Sequence, residues 1–62
     1  MIYTIDDSQM ADWKDICKAF ARREHAELVF VNNTGMGIEY PNGTMRHIYV
    51  DELYQILESE VI

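Results

Sequence analysis

Apolar residues recur at three- and four-residue steps through residues 7–25, which is the spacing of one face of an amphipathic helix. The stripe consists of Met10, Trp13, Ile16, Cys17, Phe20 and Ala21. Asp6 is followed three residues later by Gln9, an arrangement that fits a capping box. The pattern therefore predicts a helix that begins after Asp6, with Asp7 and Ser8 as alternative caps.

Four short segments have the composition of β-strands. Residues 1–5 are rich in β-branched and aromatic side chains. Residues 27–32 are a predicted strand whose apolar run, residues 28–31, is continuous, which predicts a central strand covered on both faces. Residues 37–40 and 44–50 flank the Pro-Asn-Gly of residues 41–43. Asn and Gly tolerate the positive φ angles of tight turns, so this pattern predicts a hairpin.

A short second helix follows, and Asp51 is its predicted cap. Its apolar stripe consists of Val50, Leu53, Ile56, Leu57 and Val61. The element order is β-α-β-β-β-α, which predicts a single α+β domain over residues 1–62, with a small antiparallel sheet and two helices. Two helices are few for the two faces of a sheet, so we expect an apolar surface to stay uncovered.

Cysteine content and hydropathy bear on the cellular compartment. Cys17 is the only cysteine of the 62 residues, so an internal disulfide is excluded and a reducing compartment is favoured. No apolar stretch approaches the length of a membrane span, and the first residues lack the features of a signal peptide. These observations predict a cytoplasmic protein with no membrane association.

The chain is acidic, with a formal net charge of −6 from eleven acids and five bases. Direct binding of nucleic acid or of an anionic membrane is therefore disfavoured, and the expected partners are proteins or small molecules. The acids concentrate in the second part of the chain, where Arg46 is the only base after residue 25. An acidic surface of this kind either keeps the protein soluble or binds a basic groove on a partner.

Catalytic and metal-binding patterns are not found. Cys17, His25 and His47 have no recognisable metal-ligand spacing, and the three glycines do not form a phosphate-binding loop before a helix. We therefore expect no cofactor, no metal and no enzymatic activity. A minimal enzyme or small-ligand binder that uses His47 and Glu39 on the hairpin is the weakest of the alternatives.

The sequence favours a small acidic interaction module that binds and modulates, or inhibits, a larger protein. Such a partner has a basic surface, as nucleic-acid-processing enzymes do, and small acidic accessory proteins of phages and mobile elements act on host proteins in this way. The predicted partner-binding residues are Glu39, Tyr40, Tyr49, Asp51, Glu52, Tyr54, Glu58 and Glu60. The alternative is a structural homo-oligomer, such as a homodimer, that buries its sheet or its Trp13 helix face against a second copy.

Overall fold

A computed structural model describes residues 4–60, which form two helices and a three-stranded antiparallel sheet. The elements are a 3₁₀ turn at Asp7–Gln9, α1 at Met10–Arg23, β1 at Glu27–Asn32, β2 at Gly35–Glu39, β3 at Met45–Tyr49 and α2 at Val50–Glu60. The predicted α+β class is confirmed. Of the predicted N-terminal strand, residues 1–3 lie outside the described part of the chain, and Thr4 and Ile5 are not in a strand.

The first helix begins differently from the prediction. The Asp6 side chain makes no capping hydrogen bond, so the predicted capping box is wrong. Instead the Gln9 N–H donates to the backbone oxygen of Asp6 at 2.9 Å and closes a 3₁₀ turn that leads into α1. A tight first turn of this kind satisfies a free N–H at the helix start without help from a side chain.

A Schellman motif ends α1. The Ala26 N–H donates to the oxygen of Ala21 at 2.9 Å, and the His25 N–H donates to the oxygen of Arg22 at 3.1 Å. These two bonds require a left-handed residue between helix and strand, and His25 has a φ of 56°. A left-handed conformation costs an ordinary L-residue about 1–2 kcal/mol, and glycine usually occupies this position.

Replacing His25 with glycine should therefore stabilise the fold. We expect His25→Gly to raise the free energy of unfolding by about 0.5–1 kcal/mol, because the relief of strain exceeds the added flexibility of the unfolded chain. Urea denaturation followed by circular dichroism measures the change. His25→Ala is the matched control, since alanine keeps the Cβ and should give no gain. Equal stabilities of the two variants would contradict the assignment of strain to this residue.

The central strand of the sheet is β2, with β1 and β3 as its edges. The prediction that residues 27–32 form the centre, with both faces covered, is wrong: Val29 and Phe30 are 47% and 39% exposed. A β-bulge between Leu28 and Phe30 makes Val29 the extra residue of β1. The apolar run of β1 is continuous because one face meets the core while the other carries an uncovered apolar surface.

Short turns connect the three strands. Residues 33–34 join β1 to β2, and the Asn32 side chain accepts hydrogen bonds from the backbone N–H groups of Thr34 and Gly35. The predicted hairpin between β2 and β3 is confirmed, with the Gly43 N–H bonded to the oxygen of Tyr40 and with Gly43 at a φ of 90°. Only the glycine of the Asn-Gly pair has a positive φ, as in a three-residue turn closed by a bulge.

Glu52, and not the predicted Asp51, caps the start of α2. The Glu52 carboxylate accepts a hydrogen bond from the Tyr49 N–H at 3.3 Å, which is the reach-back half of a capping box. The Asp51 side chain accepts a hydrogen bond from the Glu52 N–H, within the first turn of the helix. Both carboxylates lie where the helix dipole favours negative charge.

Both helices cover the same face of the sheet. The fully buried side chains of β2 and β3 are Met36, Ile38 and Ile48, and they pack in one cluster with residues of both helices. The helical members are Trp13, Cys17, Phe20, Ala21, Val50 and Leu53. The opposite face of the sheet has no helix against it within residues 4–60. The expected uncovered surface is this face.

Candidate functional site: the open face of the sheet

Strand alternation determines which residues point away from the helices. Met36 and Ile38 point into the core, so their neighbours on β2 point outward, and the strand register extends this assignment to β1 and β3. We call the outward surface the open face. Its residues are Glu27, Phe30, Asn32, Gly35, Gly37, Glu39, Met45, His47 and Tyr49.

Three rings cross the open face as an aromatic row, formed by Phe30, His47 and Tyr49. The centroids of Phe30 and His47 are 5.5 Å apart, and those of His47 and Tyr49 are 4.6 Å apart. Both pairs are tilted, a geometry that aromatic rings favour. The row is one connected surface of β1 and β3 that passes over β2.

Glycine on β2 makes this row possible. A Cβ added at Gly37 would lie 2.3 Å from Cε1 of Phe30, so the phenyl ring occupies the space in which a side chain of β2 would stand. The ring lies against the backbone of the central strand, and Gly37 itself is buried although it is on the open face. The glycine brings Phe30 and His47 into contact across the sheet.

The open face has exposed apolar side chains along its two edge strands. Met45 is 58% exposed and Tyr49 is 51% exposed, in addition to the exposed Val29 and Phe30. These four are the large apolar residues that are exposed within residues 4–60. Single exposed apolar residues are ordinary, but a contiguous group on one face of a small protein indicates an interaction surface.

Two carboxylates lie at one end of the open face. Glu27 and Glu39 are direct partners in the β1–β2 register, and like charges at opposed positions destabilise a sheet. Neither forms an ion pair with a residue in the described range 4–60. They border a shallow hollow of about 590 Å³ with His25, Ala26, Tyr40, Pro41 and Gly43. This end of the face is negative and open to solvent.

The only Lys or Arg of the three strands is held away from the open face. Arg46 points to the helix side of the sheet, where its Nη1 lies 3.5 Å from the Tyr40 oxygen and 3.8 Å from Oε1 of Glu24. Tyr40 donates to the same Glu24 oxygen at 3.2 Å. The hydrogen bond to Tyr40, with nearby acidic charge, raises the pKa of Arg46 further above its already high value. The open face therefore carries carboxylates and neither Lys nor Arg.

The predicted partner-binding residues do not form one surface. Glu39 and Tyr49 are on the open face, whereas Tyr40 belongs to the Glu24–Arg46 cluster on the helix side. On α2, Glu52 caps the helix and Glu60 is paired with Arg23. Another group borders a shallow hollow of about 390 Å³ on α2, formed by Asp51, Tyr54, Gln55 and Glu58.

Several residues of the open face were missed by the sequence prediction. Phe30 and Glu27 were missed because β1 was taken as a strand buried on both sides. Strand alternation in the sequence does place Met45 and His47 on one face with Tyr49, but these two residues are not among the predicted partner-binding residues. The glycines of β2 are the signal for the close approach of Phe30.

The described residues offer little for nucleophilic or metal chemistry. Within residues 4–60 no group of three His, Cys, Asp or Glu side chains is placed to hold a metal ion. Cys17 is completely buried, and burial raises its pKa to about 12, so the thiol is neutral at physiological pH. His47 is packed between two rings, and the β-register places it opposite Gly37 while Glu39 is opposite Met45.

Neither of the described helices is long and apolar enough to cross a bilayer. A comparison of the chain with protein-family models, with curated proteins and with solved structures gave no match.

Proposed function

We propose that this chain is a small acidic protein–protein interaction module that binds a larger protein through its open face. The observation that carries the proposal is the aromatic row, with Met45 beside it, exposed on a sheet face that neither helix covers. Tyr, Phe and Met are enriched at protein interfaces, and burial of such residues supplies most of the binding energy.

Charge indicates the nature of the partner surface. The facing Glu27 and Glu39 have no described cation as a partner, and the chain as a whole carries a net charge of −6. A partner that supplies Lys or Arg at this end relieves their mutual repulsion and is attracted over longer distances by the overall charge. We therefore propose a partner with an apolar patch beside a basic rim.

Proteins that process nucleic acids have basic surfaces of this kind. Binding there by an acidic module blocks or modulates nucleic-acid access, and we propose this action on a host protein, in the cytoplasm, for an accessory protein of phage or mobile-element type. The support is the pair of carboxylates on the open face together with its exposed aromatic row. Of the predicted partner-binding residues, Glu39 and Tyr49 have this role in the proposal.

Binding to the captured partner tests the proposal through Tyr49. We expect Tyr49→Ala to weaken the affinity about 30-fold, since a central interface tyrosine contributes about 2 kcal/mol. Capture from host lysate identifies the partner, and titration with the purified partner gives the affinity. Gln55→Ala, on the exposed side of α2, is the control and should bind as the wild type does. Equal affinities of Tyr49→Ala and Gln55→Ala would contradict the proposal.

Binding to the same purified partner also tests the electrostatic contribution to association. Glu27→Gln combined with Glu39→Gln should slow association at low salt and leave it nearly unchanged at high salt, because steering by charge is screened. If the association rates of the wild type and of this variant were both independent of salt, the proposal that the partner has a basic rim would be contradicted.

A further inference from the structure

The methionines of residues 4–60 differ sharply in exposure. Met45 is 58% exposed on the open face and is not part of the core cluster. Met36, on the central strand, is completely buried in the core, and Met10 is partly buried against it. A thioether does not ionise, so the rate at which a peroxide oxidises it depends on access to the sulfur. Of these three sulfurs, that of Met45 is the most accessible.

The thiol, which is usually the first group to react with a peroxide, is sequestered in this fold. Cysteine oxidation proceeds through the thiolate and requires an exposed sulfur. Cys17 is completely buried in the core cluster, and burial raises its pKa to about 12. Its sulfur is both inaccessible and neutral at physiological pH. Cys17 therefore does not compete with Met45 for a peroxide.

We propose that Met45 is a site of reversible oxidation, and that its sulfoxide form weakens the binding of a partner to the open face. The inference rests on the proposed function, in which the partner covers Met45. In the forward step the sulfur attacks one oxygen of hydrogen peroxide, an S–O bond forms, the O–O bond breaks, and water leaves after a proton transfer. The sulfur loses two electrons, and the peroxide gains them. In the reverse step two thiols of a reductase remove the oxygen as water and become a disulfide.

The position of Met45 on the open face makes the change selective for binding. A sulfoxide oxygen accepts hydrogen bonds, and its burial in an apolar interface without a donor is unfavourable. In the free protein the same oxygen is solvated, because Met45 projects from an edge strand away from the helices. Its direct partner on β2 is Glu39, whose carboxylate offers no hydrogen-bond donor. Oxidation therefore alters the interaction surface and leaves the core unchanged.

Peptide mapping by mass spectrometry tests the selectivity in the free protein. In dilute hydrogen peroxide we expect Met45 to be oxidised at least about 10-fold faster than Met36, which reacts only when the structure opens. Cys17 should remain a thiol, and circular dichroism should show an unchanged fold. In denaturing urea Met45 and Met36 should react at similar rates, which controls for differences between the peptides. Oxidation of Met36 or Cys17 at the rate of Met45 in the folded protein would overturn the proposal.

Titration with the purified partner tests the consequence for binding. Only this protein is treated with peroxide, which is removed before mixing. We expect the oxidised wild type to bind about 10-fold more weakly, because an unpaired polar oxygen is buried in the complex. Peroxide should not change the affinity of Met45→Leu from its own untreated value, whereas Met10→Leu should respond as the wild type does. A similar loss in treated Met45→Leu would assign the effect to another residue and contradict the role of Met45.

Protection by the partner gives a second measurement. With saturating partner, Met45 should be oxidised at least about 10-fold more slowly than in the free protein, because the partner shields its sulfur. An unchanged rate would overturn the inference. If Tyr49→Ala weakens binding while the oxidised wild type binds normally, the inference fails and the proposed function stands. If Tyr49→Ala binds as the wild type does, the proposed function fails, whatever the oxidation state of Met45.

Discussion

Trp13→Ala is expected to unfold the protein at room temperature. Trp13 is 1% exposed at the centre of the core, its ring is 6.0 Å from that of Tyr54, and its Nε1 donates to the Asn32 oxygen at 2.9 Å. The truncation of a buried tryptophan to alanine costs about 3–5 kcal/mol. The free energy of unfolding of a domain of this length is about 3–9 kcal/mol, so the loss is comparable with the whole stability.

Urea denaturation followed by far-ultraviolet circular dichroism measures this effect. Trp13→Phe keeps most of the ring volume and loses the Nε1–H donor, so it should remain folded and cost about 1–2 kcal/mol. Lys14→Ala, at the exposed neighbouring residue, should change the stability by less than about 0.5 kcal/mol. A Trp13→Ala variant with a midpoint near that of the wild type would show that the core does not depend on this ring.

The sequence alternative of a homo-oligomer that buries the Trp13 helix face against a second copy is disfavoured by the position of this side chain. Trp13 already packs inside a single chain and joins α1 to the end of β1 and to α2. A homo-oligomer would therefore bury the sheet rather than the side of α1 that carries Trp13.

Two glycines of β2 that share a face should respond very differently to alanine. A Cβ at Gly35 would lie 2.6 Å from the backbone oxygen of Ile48, which can move only if β3 moves. We expect Gly35→Ala to destabilise the protein by about 2–3 kcal/mol through this backbone displacement. At Gly37 the obstacle is the Phe30 ring, a partly exposed side chain that can swing outward. Gly37→Ala should therefore cost less, about 1 kcal/mol.

The double variant Gly37→Ala with Phe30→Ala makes the comparison quantitative. Removal of the ring frees the space for the new Cβ, so the two substitutions should couple by at least about 0.5 kcal/mol in a double-mutant cycle. Gly35→Ala with Phe30→Ala should be additive. Thermal or urea unfolding of the set measures both cycles, and an additive Gly37–Phe30 pair would contradict the packing of the ring on β2.

Local signals were sufficient to predict most of the fold. The helical spacing from Met10 to Ala21 and the Pro-Asn-Gly turn each identified an element by periodicity or backbone preference, and the structure has both. The 3₁₀ turn after Asp6 and the cap by Glu52 differ from the predictions because several side chains compete for the same helix start. Such choices depend on energies of about 1 kcal/mol, which sequence patterns do not resolve.

The candidate site was harder to predict because it depends on strand order. An apolar run such as residues 28–31 is typical of a covered central strand, and the position of β1 at an edge is determined by pairing with the glycine-containing β2. The expectation of an uncovered apolar surface was correct, since it followed from the number of helices. Assigning that surface to Phe30, His47 and Tyr49 requires the register.

The order of the strands also bears on how quickly this chain folds. Each strand is paired with its neighbour in sequence, and the connections span only residues 33–34 and 40–44. Closing such loops costs little entropy, and hairpins form within microseconds, so the sheet does not depend on a distant encounter. Contacts between remote parts of the chain are made where the helices pack, as between the rings of Trp13 and Tyr54 and between Trp13 Nε1 and the Asn32 oxygen. The sheet can therefore form through local contacts, whereas the docking of α1 on it requires contacts between residues that are distant in sequence.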